Sequence, residues 1–483
     1  MRRETCESSA GCMVCSGKVE VKKPEFLRIV NFAQNRLISL CDVWYNCSQK
    51  VENMIVRFSV ENFRSFKERQ TLFLNAVNTC KEWKDENTAV ENGNRLLRSA
   101  VVYGANASGK TNLFLAMERM RMFMLSSVNM EKQANLLVVE PFLLSLDALN
   151  RPETFEIQFT FDGKIFTYGF SLLLVGSKPD QYEVVNEWLL ENVKNHEAVY
   201  FLRERRKGAD DGFVNIISVN KDRMPLGVGL EARTRPDVLF FTVAAQFAEP
   251  TCQMISDYIR LNVNVVSGLN HASLTVFSRN QLTSDGNVGE SIKKFIHDAD
   301  TGIKDLKIDA NGQIVSFHDQ YDAHLNAIGR LAMNFQFSES QGTSKLFDLS
   351  GPLIDTLNNG RIMIVDELDA KLHPLLVRRL IMLFNNSETN FKNAQLIINV
   401  QSPDLLAYKE YYAPRKRMMP RLRRDQFFFV EKDNGEASVL TSLIEFKKEN
   451  GMKMRNDASF AKEYMEGSFG GIPYVSDLIK FEK

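Results

Sequence analysis

Alternation of apolar and polar residues dominates the first half of the chain. It begins at Met54, in MIVRFSVENF, and returns over residues 153–174, where Asp162-Gly163 has the composition of a hairpin turn. Residues 98–103 (RSAVVY) form a short apolar run that leads directly into a glycine-rich turn. These patterns predict half-buried strands in the first two segments and a buried strand in the third.

Helical spacing and further apolar runs follow. Residues 112–125 are rich in Met and Leu at helical spacing, and residues 375–384 predict a second amphipathic helix. Residues 361–366 (RIMIVD) and 395–400 (QLIINV) are short apolar runs typical of buried strands. A strand, a glycine loop, a helix and further apolar strands flanked by helices predict an α/β fold with a mixed sheet.

The hydrophobic pattern and the residue composition change along the chain and predict four segments. Residues 1–53 are expected to be an N-terminal appendage or the result of a start site assigned too far upstream, and residues 54–235 are expected to form the first lobe with its antiparallel β section. Residues 236–330 are expected to be a mostly helical insertion without sustained heptads, so no long coiled-coil arm is predicted. Residues 331–483 complete the head.

Charge and hydropathy limit the classes of function. The 60 basic and 60 acidic residues cancel, so any binding to nucleic acid or membrane must come from a local patch. No apolar run reaches the ~18 residues that span a bilayer. The N-terminus has no apolar stretch after its first charges, as a secretory signal would have. These features predict a cytoplasmic protein that does not enter membranes.

The cysteines cluster near the N-terminus. Five of the seven lie in the first 47 residues, which favours a reducing compartment over a disulfide scaffold. Cys12 and Cys15 have C-x-x-C spacing, and Cys41 and Cys47 could complete four zinc ligands. The second pair is loosely spaced and no compact finger pattern surrounds it, so the metal site stays an open alternative.

Residues 104–111 (GANASGKT) match the phosphate-binding pattern G-x-x-x-x-G-K-[ST] between a predicted strand and a predicted helix. Glycines let backbone N–H groups curl around a phosphate, and the following helix points its positive end at the same anion. Lys110 would neutralise the β- and γ-phosphates of ATP, and the Thr111 hydroxyl would bind Mg²⁺. The candidate nucleotide-binding residues are Gly104, Ala105, Asn106, Ala107, Ser108, Gly109, Lys110, Thr111 and Asn112.

The run at 361–366 ends in a pair of acids. An apolar strand that ends in Asp366 would deliver a carboxylate to Mg²⁺ beside Thr111. The adjacent Glu367 would polarise a water molecule for attack on the γ-phosphate and is the candidate catalytic residue. An isolated pair of acids after a strand is most often a surface turn, but the upstream glycine loop favours the nucleotide site.

Residues Ser340, Gly342 and Thr343 precede Asp366 by about one helix and one strand. This order resembles the signature loop of ABC-type ATPases, where a helix N-terminus caps the γ-phosphate bound by the other subunit. The resemblance implies an ABC-type head in which two copies enclose two ATP molecules. Asp369 matches the D-loop of that family, which crosses the dimer interface.

Seven stretches of sequence carry a resemblance to one group within the ABC-type ATPases. They are residues 54–66, 103–112, 339–343, 366–369, 372–374, 422–426 and 464–473. Together they resemble the abortive-infection group of bacterial ABC-type ATPases, the RloA-like and AriA-like proteins related to the OLD ATPases, over residues 54–483. That resemblance implies defence against phage by a dimer or higher oligomer. It also implies a separately encoded effector, often a Toprim-type nuclease.

One position departs from the family pattern. After QLIINV the family usually carries a histidine that contacts the γ-phosphate, and here the register gives Gln401. An amide can donate a hydrogen bond to phosphate or orient water, but it cannot carry imidazolium charge. We therefore expect ATP hydrolysis that is slow or depends on a partner.

The role of one basic segment stays open at this stage. Residues 415–424 (RKRMMPRLRR) carry six basic residues, which would suit a nucleic-acid backbone, a solvated loop or an acidic protein partner.

Two protein classes are alternatives to the defence ATPase. A DNA-repair ATPase of the RecF or Rad50 type is the first alternative. The motor subunit of a membrane transporter is the second, and the long insertion at 236–330 argues against it.

Overall fold

A computed structural model describes residues 53–128, 138–193, 196–207, 213–267, 271–283, 287–299, 301–446 and 459–472. All of these residues belong to one compact unit, Val51–Lys483. The predicted boundaries at 235 and 330 therefore do not separate independent units. The four-cysteine set and all but the last residue of the predicted appendage lie outside the described residues.

The described residues form twenty strands and eleven α-helices. The strands are β1 (Ile55–Glu61), β2 (Gln70–Phe73), β3 (Thr88–Glu91), β4 (Asn94–Leu97), β5 (Ser99–Gly104), β6 (Glu153–Phe161), β7 (Lys164–Leu174), β8 (Tyr182–Val193), β9 (His196–Lys207), β10 (Phe213–Val219), β11 (Val263–Val266), β12 (Asp305–Ile308), β13 (Ile314–Tyr321), β14 (Ala327–Asn334), β15 (Ile362–Val365), β16 (Gln395–Asn399), β17 (Lys409–Tyr412), β18 (Arg417–Pro420), β19 (Phe427–Lys432) and β20 (Ser438–Ser442). The helices are α1 (Lys84–Asn87), α2 (Lys110–Ser126), α3 (Phe240–Gln246), α4 (Pro250–Asn262), α5 (His271–Thr283), α6 (Asn287–Asp298), α7 (Phe335–Ser338), α8 (Gln341–Asn359), α9 (Pro374–Phe384), α10 (Asp404–Ala407) and α11 (Phe460–Met465).

A six-stranded sheet carries the glycine loop. Its order is β11-β15-β16-β5-β19-β20, and every neighbouring pair is parallel except β19–β20. The predicted strands at 98–103, 361–366 and 395–400 are β5, β15 and β16, so all three predictions are confirmed. Because parallel strands end at the same edge of a sheet, the loops after these strands come together there. The protein therefore has the predicted α/β P-loop fold.

Alternate residues of β5 enter two different cores. Ala100 and Val102 pack with the apolar face of α2 and with the antiparallel strands, whereas Val101 and Tyr103 pack with α6, α8, α9 and α11. All four side chains are fully buried, since the sheet has a layer on each face. The Met-rich spacing at 112–125 was therefore a core pattern, and the predicted helix is confirmed.

A seven-stranded antiparallel sheet forms the second layer, in the order β10-β9-β8-β7-β6-β1-β2. The predicted hairpin turn joins β6 to β7, with Asp162 at φ 49° and Gly163 at φ 68°. Both residues have positive φ, as a type I′ turn requires, so that prediction is confirmed.

The expectation for residues 236–330 is only partly correct. Helices α3 to α6 are present, but β11 is an edge strand of the central sheet. Strands β12, β13 and β14 form a separate antiparallel sheet, so the helical prediction is wrong there. Most side chains of β14 are exposed, and therefore the strand shows no apolar alternation that the sequence could reveal.

A buried ion pair joins the seven-stranded sheet to α3. Arg203 on β9 donates to the carbonyl oxygen of Pro236 (2.9 Å), and its guanidinium lies 3.9 Å from the carboxylate of Glu187 on β8. Glu187 also accepts from the backbone N–H groups of Phe240 (2.7 Å) and Phe241 (2.9 Å). The exposed fractions of the two charged side chains are 1% and 0%, so each depends on its partners for compensation.

We predict that Glu187→Ala lowers the free energy of unfolding by about 3–5 kcal/mol, because Arg203 would stay buried without its counter-charge. Glu183→Ala is the matched control, since that carboxylate on the same strand pairs with Arg205 at the surface. Its loss should stay below about 1 kcal/mol. Urea unfolding measures both values, and an equal loss in the two variants would contradict the assignment.

Candidate nucleotide site

The glycine loop joins the end of β5 to the N-terminus of α2, whose positive end faces it. Gly109 has φ 111°, and a Cβ there would lie 2.2 Å from the Ser438 hydroxyl oxygen and 2.7 Å from that of Ser65. The Ser438 hydroxyl donates to the carbonyl oxygen of Ser108 (2.5 Å). Contacts from both ends of the chain therefore fix the loop, and only glycine fits at position 109.

The ammonium group of Lys110 lies against the start of the loop. Its Nζ donates to the carbonyl oxygens of Gly104 (2.6 Å) and Ala105 (2.9 Å). Burial lowers the pKa of Lys110, and the charges of Asp366 and Glu367 oppose that shift. The side chain of Lys110 therefore lies beside the N–H groups of the loop, where a phosphate would bind.

Asn399 at the end of β16 joins the two predicted acids. Its amide Nδ2 donates to Asp366 Oδ1, and its Oδ1 accepts from the backbone N–H of Glu367. Thr111 Oγ1 donates to the same Asp366 oxygen (3.4 Å). Burial raises the pKa of Asp366, and the hydrogen bond from Asn399 opposes that shift. The structure thus brings together Thr111, Asp366 and Glu367 as the sequence predicted.

The chemistry and spacing of these groups fit Mg²⁺. A carboxylate oxygen and a hydroxyl oxygen are hard ligands, and octahedral Mg²⁺ places adjacent ligands roughly 3 Å apart. The separation of 3.4 Å between Thr111 Oγ1 and Asp366 Oδ1 is close to that value. These two residues would hold the ion, with phosphate and water oxygens as its remaining ligands.

A cleft of about 530 Å³ lies over the glycine loop. Its lining combines the loop with residues from the ends of β15, β16 and β19, and the set is Ser65, Ala105, Asn106, Ala107, Ser108, Gly109, Lys110, Thr111, Asn112, Glu367, Gln401 and Lys432. Its volume is within the range of small-molecule sites. Glu367 and Gln401 therefore border the same space as the phosphate-binding loop.

The predicted signature loop begins α8. Ser340 is the N-cap residue, and its Oγ accepts from the backbone N–H of Thr343 (3.1 Å). A Cβ on Gly342 would lie 2.7 Å from the carbonyl oxygen of Lys371, so the turn after β15 allows no side chain there. None of Ser340, Gly342 and Thr343 is among the residues that line the cleft of the same chain. Their action on a partner's nucleotide stays a prediction.

Asp369 holds the loop that contains Gln401. Its Oδ2 accepts from the backbone N–H groups of Gln401 and Ser402, both at 2.8 Å. The residue predicted to cross a dimer interface therefore orients a cleft residue within its own chain. Its role at a dimer interface stays a prediction.

Sequence reasoning missed five residues that shape the site. They are Ser65, Lys345, Asn399, Lys432 and Ser438. Asn399 had a signal, because a polar residue ends an apolar strand beside the Asp366 strand, and Ser65 lies within the stretch 54–66 that carries the family resemblance. The other three come from distant segments, and no local pattern in the sequence identifies them.

The structure rules out a nucleic-acid contact or a solvated position for two of the six basic residues at 415–424, namely Arg421 and Arg423. Arg421 is 6% exposed and donates to the Asn87 side chain (2.6 Å). Arg423 is 2% exposed and pairs with Asp425 at 2.5 Å. Buried guanidinium groups with these partners cannot contact a phosphate backbone. They instead connect the segment before β5 to the segment before β19.

Comparison with known proteins agrees with this site. The family described as "AAA domain, putative AbiEii toxin, Type IV TA system" matches residues 99–220 and 278–407, which is just over half of the chain. The protein belongs to this AAA-domain family. The matched residues include the glycine loop, the signature loop, Asp366, Glu367 and Gln401.

The chain is also similar to a solved structure. The SMC head domain from Thermotoga maritima is 14% identical to this AAA-domain protein, with a TM-score of 0.36, and the match covers 80% of this chain and 98% of that chain. No curated protein matches the sequence. Among the residues that the structure describes, no helix is both long and apolar enough to cross a membrane.

We predict that Asp366→Asn stabilises the AAA-domain protein when Mg²⁺ and nucleotide are left out. Burial raises the folded-state pKa above the ordinary 3.8, so the stability that Asp366 contributes is lost as pH rises through the folded value. The Asn variant should therefore melt at a higher temperature near pH 7.5, and its advantage should vanish near pH 3.8. The same variant should lose at least roughly tenfold in Mg²⁺-dependent ATP affinity.

Scanning fluorimetry at a series of pH values measures the melting temperatures. Titration with ATP in the presence and absence of Mg²⁺ measures the affinity. Asp257→Asn is the control, because it removes an exposed carboxylate on α4. A lower melting temperature of Asp366→Asn at pH 7.5 would contradict the burial cost, and unchanged Mg²⁺ dependence would contradict the ligand assignment.

Proposed function

We propose that this AAA-domain protein binds Mg²⁺-ATP between two copies of itself and hydrolyses it. The observation that carries the proposal is the Asn399 bridge, which holds Asp366 against Thr111 and fixes the backbone of Glu367 at the mouth of the glycine-loop cleft. Three kinds of group that phosphoryl transfer needs, a phosphate cradle, hard oxygen ligands and a carboxylate for water, therefore lie together.

Each side chain has a distinct task in this proposal. Lys110 exchanges its bonds to the loop carbonyls for the terminal phosphates. Thr111 and Asp366 would hold Mg²⁺, which would supply positive charge to the phosphates. Glu367 accepts a proton from the attacking water, and Gln401 donates a hydrogen bond to that water or to the γ-phosphate. Since Gln401 carries no charge, we expect turnover to be slow or to depend on a partner.

A second copy supplies the groups that the cleft lacks. Ser340 is the N-cap residue of α8, and it does not line the cleft of its own chain. A helix N-terminus is a favourable site for phosphate. A head-to-tail arrangement of two copies places each signature loop over the other's ATP, so the nucleotide holds the dimer together.

We predict complementation between two inactive variants. Lys110→Ala should remove ATP binding, and Ser340→Arg should block the signature loop, so each homodimer should lose turnover. When the two are co-expressed, half of the dimers pair an intact cleft with an intact signature loop at one of two sites, which restores roughly a quarter of wild-type turnover. Phosphate release by the purified mixture is the measurement. A mixture as inactive as its components, with heterodimers verified by two affinity tags, would contradict the shared site.

We further propose that the dimer acts in defence against phage and controls a separately encoded effector. Two features support this role: the family description names a putative AbiEii toxin of a type IV TA system, and the motifs of residues 54–483 resemble those of the RloA-like and AriA-like proteins. ATP binding would close the dimer on the effector, and hydrolysis or a phage trigger would change that hold.

We predict that expression of this chain with its neighbouring genes reduces phage plating, and that Glu367→Gln changes the protection. The Gln variant should bind ATP without turnover, because the amide cannot accept the proton from water. Plating efficiency on cells with wild type, Glu367→Gln or empty vector is the measurement, with Glu183→Gln as a surface control. Unchanged plating with every neighbouring gene present would contradict the defence role, and salt-sensitive duplex binding would favour a repair ATPase instead.

A further inference from the structure

Lys345 joins the signature helix to the turn that carries Glu367. It lies five residues after Ser340, one and a half turns into α8. Its Nζ donates to the carbonyl oxygens of Glu367 (2.6 Å) and Ala370 (2.8 Å). The ammonium group thus contacts the backbone of the turn rather than the carboxylate of Glu367.

The turn itself has a costly backbone conformation. Glu367 has φ 53° and Lys371 has φ 65°, and neither is glycine. Left-handed conformations of such residues are unfavourable and persist only where neighbouring contacts impose them. The direction of the Glu367 side chain depends on this backbone, so contacts that hold the turn also aim the carboxylate.

Groups from three elements hold the turn. Asn399 at the end of β16 fixes the N–H of Glu367, and the loop after β16 is joined to it through Asp369. Lys345 contributes the contact from α8, where Gly342 also packs directly on the Lys371 carbonyl. Burial lowers the pKa of Lys345, and the charges of Asp369 and Glu367 oppose that shift.

We propose that Lys345 is a positioning residue that holds the turn of Glu367 in the orientation needed for hydrolysis within its own chain. This inference rests on the proposed ATPase function. Lys345 does not line the glycine-loop cleft, so it should leave ATP binding unchanged and act on turnover alone.

Lys345→Met keeps the length and apolar stem of the side chain and removes its donors. We expect turnover at saturating ATP to fall roughly tenfold or more, because a misdirected carboxylate loses part of its contribution as a general base. The Kd for ATP should stay within roughly twofold of wild type, since the cleft is intact. Lys345→Arg should restore part of the turnover, because a guanidinium can donate to both carbonyls.

Arg361→Met is the matched control. Arg361 follows the far end of α8 and pairs with Asp355, so its loss removes a partly buried cation without touching the Glu367 turn. Turnover per folded molecule should match wild type. An equal loss of turnover in Arg361→Met and Lys345→Met, or a large rise of the Kd in Lys345→Met, would overturn the positioning role.

Heterodimers purified through two affinity tags show whether Lys345 acts on Glu367 of its own chain or supports the signature loop that its chain presents to the partner. With Lys345→Met and Lys110→Ala on different subunits, the one ATP-binding site contains the altered turn, and turnover should fall roughly tenfold below that of the wild type–Lys110→Ala heterodimer. With both changes on one subunit, the active site keeps its own Lys345, and turnover should equal that reference. The reverse result, or loss in both arrangements, would overturn the proposal. If wild type itself does not hydrolyse ATP, the ATPase function fails instead.

Discussion

Parallel pairing of β5, β16 and β15 is the constraint on which the candidate nucleotide site depends. The register places Ser99 opposite Leu396 and Gln395 opposite Ile362, so the three strands end together at one edge of the sheet. The glycine loop, the amide of Asn399 and the acid pair Asp366-Glu367 lie in three separate segments of sequence and meet at this edge. A shift of one strand by one residue would turn Asn399 away from Asp366 and expose the wrong face to both cores.

Several charged side chains at this edge form hydrogen bonds with backbone groups rather than with other charged side chains. Lys110 and Lys345 both donate to carbonyl oxygens, one in the glycine loop and the other in the Glu367 turn. Asp369 likewise accepts from backbone N–H groups. Ionised side chains that hold backbone segments fix geometry, since each bond to a charged group is worth about 1.5–3 kcal/mol. The site is therefore shaped before ligands bind, which favours catalysis by preorganised groups.

The sequence predicted those parts of the fold and site whose signals are local. Local signals identify the glycine loop, the strand before Glu367 and the Asp162-Gly163 hairpin. In each of them an apolar pattern and characteristic turn residues occur within a short stretch of sequence. Ser438 lies far from the loop it supports, so only the tertiary structure reveals it. The roles of Arg421 and Arg423 stayed open because composition does not distinguish a buried, paired guanidinium from an exposed one. Strand β14 was missed because neither of its faces is buried.

The strand order also has a consequence for biosynthesis. Both sheet neighbours of β5 come from the last quarter of the chain, in β16 and β19. At roughly 5–20 residues per second, the roughly 300 residues between β5 and β16 take tens of seconds to synthesise. During that interval β5 has neither of its sheet neighbours. A chain that ends before residue 395 therefore lacks both strands that flank β5 in the central sheet.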